Sequence, residues 1–383
     1  MHARLRFTRP RRLAIVAALA LLLLVLPGTA FAHANTGSHG FYQQTNLVSD
    51  TPGLAMFTDP NLVNPWGLSH SPTSPWWISD NGTGVATLYK GNGVAVPLVV
   101  TIPPPAGSPS GTTAAPTGNI FNPVNSTDTD DFVVSAHKKS GPSIFIFATE
   151  DGTISGWNPN VDLNNAVLAV DRSAVGSGAV YKGLAFGWSS GNEFIYATNF
   201  RFGTIEMFDA NFHLVSSFTD ARLANKCPLP NQCYAPFGIQ NIGGKLYVTF
   251  ALQNAQRHDD VAGAGHGFVD VFDTNGHLLR RLISRGHLDS PWGLAHAPSD
   301  FGRFSNALLV GNFGDGLINA YNLHTGAFLG QLKDSSGNAI QIDDLWGLAF
   351  GNGAAAGESD ELFFTAGIGD EQHGLFGKIE SEN

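Results

Sequence analysis

Short polar segments that mix carboxylate, amide and imidazole side chains recur along the chain, each near a run of β-forming residues. Carboxylate and amide oxygens bind hard cations, and an imidazole beside a carboxylate can transfer protons. We therefore predict that these segments come together as a ligand-binding site, while its catalytic residues and metal ligands stay unassigned. The candidate binding residues are Asp80, Asn81, His137, Asn199, Arg201, His258, Asp259, Asn312, Asp315, Asp370 and His373.

The longest of these segments runs from Gln253 to His266 and contains several ionisable side chains. Long loops with ionisable residues often carry function, so this segment is the best single candidate for a wall or lid of the site. The alternative is that the segment is simply hydrated, with its aspartates and asparagines present to form turns.

Histidines in the segments raise the question of a metal ion. His137, His258, His266 and His373 are predicted to face the same end of the fold, where imidazoles suit Zn²⁺ and carboxylates suit Ca²⁺. No H-x-x-x-H pair or other fixed ligand spacing supports such a site. The cofactor is therefore unknown from the sequence, with Ca²⁺ or Zn²⁺ as the candidates.

One match to a catalytic motif is predicted to be accidental. Gly187 to Gly191 fits the G-x-S-x-G pattern of serine hydrolases, which needs the serine on a turn between a strand and a helix. Here the match lies between two β-forming runs. We therefore predict an ordinary hairpin and no nucleophile at Ser189.

The elements that position these segments are six repeats, each opening on an apolar strand with a central glycine. The glycines are Gly67, Gly118, Gly183, Gly238, Gly293 and Gly347, spaced 51 to 65 residues apart. A second and a third β-forming run follow each glycine, and in the second repeat these are Phe132 to Ser135 and Ile144 to Phe147. A turn rich in Asn, Asp and Gly and a fourth run complete the pattern. It predicts an all-β fold, a six-bladed β-propeller, with a solenoid of the same units as the alternative.

The sixth repeat ends without a fourth run, whereas Phe41 to Ser49 form a spare run before the first repeat. We predict that the spare run pairs with the last repeat and closes the ring, because closure removes the exposed edges of an open sheet. Residues 33–383 then form a single domain.

Residues 1–32 have the features of a secretory leader: basic residues, an apolar run from Leu13 to Leu26, and Ala30-Phe31-Ala32 as a cleavage site. We predict secretion to the extracellular or periplasmic space. The apolar run is shorter than the ~20 residues that cross a bilayer, so an uncleaved membrane anchor is the weaker alternative to a cleaved leader. No membrane span is expected after cleavage. The formal net charge is −10 and the leader carries only basic charges, so the mature chain is acidic and is not expected to bind nucleic acid.

The two cysteines of the chain, Cys227 and Cys233, lie six positions apart. In an exported protein, so close a pair predicts a disulfide that clips a loop. The alternatives are a redox dithiol or half of a metal site, but the C-x-x-C spacing and a second pair are both missing.

Several phrases carry a resemblance to known proteins: Asn64 to Leu68, Glu150 to Trp157, Thr198 to Arg201, Gly311 to Gly316 and Leu345 to Leu348. The P-x-G-[LI] signature and the hairpin after the third run resemble NHL-type propeller repeats. The phrases together resemble an uncharacterised family of exported bacterial six-bladed propellers, found partly among bacteria with the PEP-CTERM sorting system. The resemblance implies the fold and export, and it implies no activity.

The sequence leaves more than one functional hypothesis open. The first is a binding module, a monomer whose ligand is a small molecule, a glycan or an extracellular protein held at the loop-rich mouth of the channel. The second is a metal-dependent hydrolase or lyase at the same mouth, because related propellers include lactonases, a peptide-amidating lyase and streptogramin lyase. The ligand motifs of those groups do not match this chain residue by residue. A purely structural extracellular protein is the third hypothesis.

Overall fold

The computed structural model describes residues 40–382, apart from residues 175, 177, 226 and 229–231. The predicted leader, residues 1–32, lies outside the described residues. The regular secondary structure of the described residues is almost all β-strand, and it includes six sheets of four or five strands whose first strands contact one another around a common axis. The fold is therefore a six-bladed β-propeller, as the repeats predict.

We call each of these sheets a blade and number the blades in chain order, with the strands of each blade counted outward from the axis. Blade 1 contains Pro65–Ser69, Trp76–Asp80, Val85–Tyr89 and Val100–Thr101. Blade 2 contains Pro116–Phe121, Phe145–Thr149, Thr153–Trp157 and Val167–Asp171. Blade 3 contains Tyr181–Ser189, Asn192–Asn199, Thr204–Asp209 and Leu214–Phe218. Blade 4 contains Tyr234–Ile242, Lys245–Leu252, Gly267–Asp273 and Leu278–Ser284. Blade 5 contains Pro291–His296, Ala307–Asn312, Ile318–Asn322 and Phe328–Gln331. Blade 6 contains Leu345–Phe350, Leu362–Ala366, Leu375–Ser381 and Tyr42–Ser49.

Helical structure is limited to two short elements in the described residues. They are the α-helix Ala221–Ala224 and the 3-10 helix Gly302–Phe304. Among the residues that the structure describes, no helix has the length and apolar character needed to cross a membrane.

Blade 6 is completed by the strand that precedes blade 1. Tyr42–Ser49 pairs antiparallel with Leu375–Ser381, from Tyr42 opposite Ser381 to Ser49 opposite Leu375. The short strand Phe57–Thr58 pairs parallel with Tyr42–Ser49 on its outer side. The predicted closure of the ring is therefore confirmed.

The signature glycines let the first strands approach one another closely around the axis. A methyl group on Gly238 would lie 2.0 Å from the carbonyl oxygen of Trp292 in the next blade, and one on Gly347 would lie 2.7 Å from that of Trp66. The other four signature glycines face backbone atoms of the next blade at 2.5 to 3.0 Å in the same way. A larger residue at any of these positions would push two blades apart.

Threonines on the second strands tie neighbouring blades together at the same level. The hydroxyl of Thr198 accepts a hydrogen bond from the N–H of Gly183 in its own blade and donates one to the carbonyl of Phe237 in the next, both at 2.7 Å. Thr365 of blade 6 donates to the carbonyl of Trp66 in blade 1, so the tie also crosses the closing blade.

Blade 2 differs from the predicted order of its strands. Val133–Ala136, predicted as part of the second strand, pairs with Lys139–Pro142 in a hairpin outside the blade. That prediction is wrong, because the longest interval between signature glycines contains this extra hairpin between the first and second strands. The second strand is Phe145–Thr149, so the loop that follows it begins at Glu150 and not at His137.

Two local predictions are confirmed. Ser189 pairs with Asn192 across a turn in which Ser190 and Gly191 have φ angles of 52° and 84°. The G-x-S-x-G match is therefore a β-hairpin. Cys227 and Cys233 form a disulfide in the loop before blade 4.

Candidate functional site

One end of the channel is formed where the first strands begin and the second strands end, and we call this end the mouth. Two rings of equivalent residues converge there. The residues directly before the signature glycines are Trp66, Thr117, Lys182, Phe237, Trp292 and Trp346. The residues directly after the second strands are Asn81, Glu150, Phe200, Gln253, Phe313 and Gly367. Antiparallel pairing brings the two rings to the same level, because each second strand ends where its first strand begins.

Aromatic rings pack together at the base of the mouth. Trp66 and Trp346 are stacked with ring centroids 3.4 Å apart, and Trp292 meets both edge-on at 6.1 and 5.9 Å. Phe313 of blade 5 stacks on Trp346 of blade 6 at 4.1 Å. Trp66 and Trp346 are almost completely buried, so they form a packed plug across the channel and do not line an open passage.

Lys182 is a buried cation in this aromatic plug, since only 2% of its side chain is exposed. Its Nζ lies 4.8 Å from the centroid of the Trp66 ring, within cation–π range. The ammonium also forms an ion pair with Glu150 of blade 2 and lies 3.7 Å from Oδ1 of Asp259 in blade 4. A buried ammonium is costly without such partners, so the three side chains form one electrostatic unit.

His258 and Asp259 form a second pair above Lys182. Nδ1 of His258 lies 2.7 Å from Oδ1 of Asp259 and 4.0 Å from Oε1 of Glu150. The hydrogen bond from His258 and the charge of Lys182 hold the pKa of Asp259 below its usual range despite partial burial. The side chain of Asp259 is 59% exposed, so this pair forms the solvent-facing side of the cluster.

Asparagines of blade 1 connect the cluster to blades 2 and 6. The amide of Asn81 donates to Oε2 of Glu150 at 2.9 Å, and the amide of Asn64 donates to Oε2 of Glu371 at 2.6 Å. The oxygen of Asn64 accepts a hydrogen bond from the indole of Trp346 at 3.0 Å, which orients the amide. Asn64 itself has a φ of 47°, a conformation that asparagine tolerates better than most residues.

Glu371 has the most altered acidity among the residues that we place at the mouth. Burial raises its pKa to about 7, and the negative charges of Glu150 and Asp344 act in the same direction. The hydrogen bond from Asn64 and the charge of Lys182 only partly offset this effect. Glu371 therefore changes its protonation state near neutral pH.

Three of the predicted binding residues belong to this cluster, namely Asn81, His258 and Asp259. Two others are buried within their own blades. The amide of Asn199 donates to Glu206 at 3.1 Å, and that of Asn312 donates to Asp315 at 2.9 Å. Their equivalent positions at the ends of second strands make them structural links between the strands of a blade.

The remaining predicted residues lie elsewhere. Arg201 donates to the carbonyl of Gly178 at 3.2 Å, and the carboxylate of Asp315 accepts the N–H of Leu317 at 3.0 Å. Asp370 is exposed in a turn, with a φ of 55°. The other three are Asp80, fully buried at the end of a strand, His137, 3.0 Å from Asp162, and His373, 2.8 Å from Asp50.

Sequence reasoning missed Lys182, Glu150, Glu371 and Asn64 as members of the cluster. The signal for Lys182 was its position, since it occupies a signature site that is aromatic in four other repeats. Glu150 was missed because the extra hairpin of blade 2 displaced the predicted loop. Glu371 stands in a predicted polar segment, but only the fold brings it to Asn64.

The four histidines considered as possible metal ligands do not converge. His137 and His373 pair with separate aspartates, and Nδ1 of His266 lies 2.9 Å from the carbonyl oxygen of Val261. A different set fits a metal better: ligand atoms of Glu150, His258 and Asp259 all lie within 4.8 Å of one another. Lys182 contacts both carboxylates of this set, so a metal ion there would compete with its ammonium.

Comparisons with known proteins agree with the fold. No family model matches the chain. Among solved structures, a streptogramin B lyase has a TM-score of 0.50 at 10% identity, with 89% of this chain and 98% of that one covered. At this identity the likeness concerns the fold alone.

Two proteins of Acanthamoeba polyphaga mimivirus are similar in sequence. Uncharacterized protein R648 is 33% identical over 337 residues, which cover 87% of this chain and 78% of R648. Uncharacterized protein L690 is 30% identical over 334 residues, which cover 87% of this chain and 84% of L690. These relatives are viral and lend no support to the bacterial origin or PEP-CTERM association that the sequence resemblance implies. The chain belongs to the protein family that includes R648 and L690.

Proposed function

We propose that this protein is an exported propeller that binds a small cationic ligand at the mouth. The observation that carries the proposal is the meeting of side chains from four other blades around Lys182 of blade 3. Polar side chains reach it from blades 1, 2, 4 and 6: Asn64, Asn81, Glu150, His258, Asp259 and Glu371. Several of them are partly exposed, so a ligand can reach them without unfolding a blade.

Charge determines the class of ligand. Glu150, Asp259, Asp344 and Glu371 are four carboxyl groups at the mouth, and they outnumber the single ammonium group of Lys182 that lies among them. Carboxylates and amide oxygens accept hydrogen bonds, so the ligand should be rich in donors and positively charged, as a primary amine is. The disulfide and the predicted leader support export, and we propose that the protein acts as a monomer.

The proposal predicts binding that strengthens with pH through neutrality. Glu371 is neutral below a pKa of about 7 and ionised above it, and only the ionised form attracts a cation. If the bound state is fully ionised, the affinity rises about tenfold between pH 6 and pH 8. The measurement is calorimetric titration of the mature protein with spermidine, a small polyamine, at both pH values.

Two variants make this test specific. Glu371→Gln removes the titrating carboxyl, so the affinity for spermidine should fall and lose its pH dependence. Glu358→Gln is the matched control, because Glu358 is an exposed glutamate in a loop of blade 6 away from the strand starts at the mouth. Absence of spermidine binding, or equal behaviour of the two variants, would contradict the proposal.

A second candidate function is a metal-dependent hydrolase or lyase at the same mouth. The close approach of Glu150, His258 and Asp259 supports it, and a carboxyl group with a pKa of about 7, Glu371, suits acid–base catalysis. Under this alternative, Zn²⁺ or Ca²⁺ stays with the protein through dialysis and is lost in His258→Gln. His137→Gln is the matched control, since His137 also pairs with an aspartate. Elemental analysis that finds no metal in the parent protein would reject this candidate.

A further inference from the structure

Lys182 contacts the carboxyl groups that would hold either class of cation at the mouth. Glu150 and Asp259 are two of the three candidate metal ligands, with His258 as the third. The ammonium group of Lys182 forms an ion pair with Glu150 and lies 3.7 Å from Oδ1 of Asp259. An organic amine and a metal ion would both bind these carboxylates, so either ligand would lie beside Lys182.

Aromatic rings enclose the ammonium group of Lys182. Its Nζ lies 4.8, 5.8 and 6.0 Å from the ring centroids of Trp66, Phe200 and Phe237. The side chain is buried among these rings, and packed side chains have little freedom to change position. The ammonium group therefore stays beside the two carboxylates when a ligand arrives.

The three candidate metal ligands remain accessible from the solvent. The side chains of Glu150, His258 and Asp259 are 13%, 36% and 59% exposed, respectively. A ligand can reach them without entering the aromatic plug. The buried cation thus lies behind a surface of hydrogen-bond acceptors.

The polar atoms of these three side chains already have hydrogen-bonding partners. Oε2 of Glu150 accepts the amide of Asn81 at 2.9 Å, and Oδ2 of Asp259 accepts the amide of Asn254 at 3.1 Å. Nδ1 of His258 lies 2.7 Å from Oδ1 of Asp259. A metal ion would have to displace some of these partners. An ammonium group adds further N–H donors to the same oxygens, because each carboxylate oxygen has two lone pairs.

Charge repulsion separates the two classes of ligand further. A metal–oxygen distance of about 2.0–2.2 Å would place a zinc ion bound to Oδ1 of Asp259 within about 6 Å of Nζ of Lys182. Coulomb repulsion is proportional to charge, so Lys182 repels a divalent ion at this distance twice as strongly as it repels one ammonium group. A polyamine carries its charges on separate nitrogens, and only one of them needs to lie beside Lys182.

We propose that Lys182 determines the specificity of the mouth, as an internal cation that excludes divalent metal ions and admits organic amines. The inference rests on the proposed binding of a cationic ligand at the same site. It predicts that loss of the charge of Lys182 converts Glu150, His258 and Asp259 into a metal site.

The experiment titrates the mature protein and Lys182→Met with Zn²⁺ and with spermidine at pH 8, where an ordinary imidazole is neutral. Methionine is an unbranched, uncharged side chain that packs well against aromatic rings. We expect the variant to bind Zn²⁺ at least about 100-fold more tightly than the parent, and its affinity for spermidine to change by less than about tenfold. Adding His258→Gln to Lys182→Met should abolish the gained Zn²⁺ binding, which locates the ion.

Lys378→Met is the matched control for the loss of a paired lysine. Lys378 of blade 6 also pairs with two carboxylates, those of Glu361 and Glu380, and it lies outside the mouth. This variant should leave both affinities unchanged. An equal gain of Zn²⁺ binding in Lys378→Met and Lys182→Met would contradict a specific role of Lys182.

The outcomes separate this inference from the proposed function. If the parent binds spermidine and Lys182→Met gains no affinity for Zn²⁺, the role of Lys182 is overturned and the amine site stands. If the parent binds no spermidine and Lys182→Met gains Zn²⁺ binding, the amine site is overturned and the exclusion of metal stands. If no protein binds either probe, both proposals are overturned.

The parent protein provides a test that needs no folded variant at Lys182. Titration with Zn²⁺ should detect no binding that His258→Gln removes, and submillimolar Zn²⁺ should not weaken spermidine binding. Tight Zn²⁺ binding in the parent that is lost in His258→Gln would show that Lys182 does not exclude metal ions.

Discussion

The carboxyl group of Asp80 illustrates how one position is used differently from blade to blade. In blade 3 the equivalent Asn199 is bonded to Glu206, which in turn pairs with Arg172. In blade 1 Asp80 is fully buried, and neither of its oxygens makes a hydrogen bond of good geometry among the described residues, although Thr87 lies close enough to offset part of the effect of burial on its pKa. Burial raises its pKa well above the usual range, so the neutral acid is the form that suits the fold.

We expect Asp80→Asn to stabilise the protein at pH 7.5 by about 1–2 kcal/mol, because the amide avoids the cost of burying a charge. The sign follows from the raised pKa: the folded state holds the proton more tightly, so the carboxyl favours folding at acid pH and opposes it as pH rises. Urea unfolding at pH 5 and pH 7.5 measures the difference. Asp300→Asn, at an exposed aspartate, is the control and should change little. A variant less stable than the parent at both pH values would show that the carboxylate is used in the fold.

Residue types alone could indicate that the mouth is polar, and they placed His258 and Asp259 there. They could not indicate that Lys182 is buried beneath that pair, because its partners Glu150 and Asp259 come from different blades. The acidity of Glu371 depends on burial and on two distant charges, neither of which is local in sequence. The contacts of Lys182 and the raised pKa of Glu371 could therefore be found only from the tertiary structure.

Among the elements, the closing strand Tyr42–Ser49 is joined to blade 5 by a side chain as well as to blade 6 by its backbone. The Tyr42 hydroxyl donates to the carbonyl of Phe301 at 3.1 Å and accepts the N–H of Phe304 at 3.0 Å. Its ring also stacks on Phe304. These contacts fix the closing strand in register beside the 3-10 helix Gly302–Phe304.

We expect Tyr42→Phe to lower the free energy of unfolding by about 1–2 kcal/mol, because it leaves two buried backbone groups without a partner. Tyr321→Phe is the matched control, since the Tyr321 hydroxyl is buried and the described residues provide no partner for it. That variant should be neutral or slightly stabilising. Thermal and urea unfolding compare the two, and equal losses would contradict a special role of the Tyr42 hydroxyl.

The order of elements was predictable wherever a repeat kept its usual length. The hairpin turn at Ser190 and Gly191 and the pairing of Tyr42–Ser49 follow from local residue preferences and from the missing strand of the last repeat. Blade 2 was not predictable, because Val133–Ala136 has the composition of a blade strand. Only its pairing with Lys139–Pro142 identifies it as an insertion.

For the molecule as a whole, the six signature glycines set how tightly the blades approach the axis. The repeats could predict this ring because each glycine recurs at the same point of its strand. They could not predict which charged side chains meet at the mouth. That choice depends on loops of unequal length and on the differing residues beside the glycines.

We expect Gly238→Ala to destabilise the protein by at least about 2 kcal/mol, since its methyl group would overlap the carbonyl of Trp292 in the next blade. Gly40→Ala is the control, because a methyl group there meets only Cδ of Arg303 at 3.7 Å. It should change stability by less than about 0.5 kcal/mol. Urea unfolding of both variants provides the comparison, and similar stabilities would argue against crowding at the axis.

The pairing of Tyr42–Ser49 with Leu375–Ser381 has a consequence for how the protein folds as it is synthesised. A ribosome makes the chain from one end, so Tyr42–Ser49 emerges before its partner Leu375–Ser381, and every other blade strand is made in between. The sixth sheet therefore cannot be completed until those strands have been made, and in the meantime the early strand lacks its antiparallel partner.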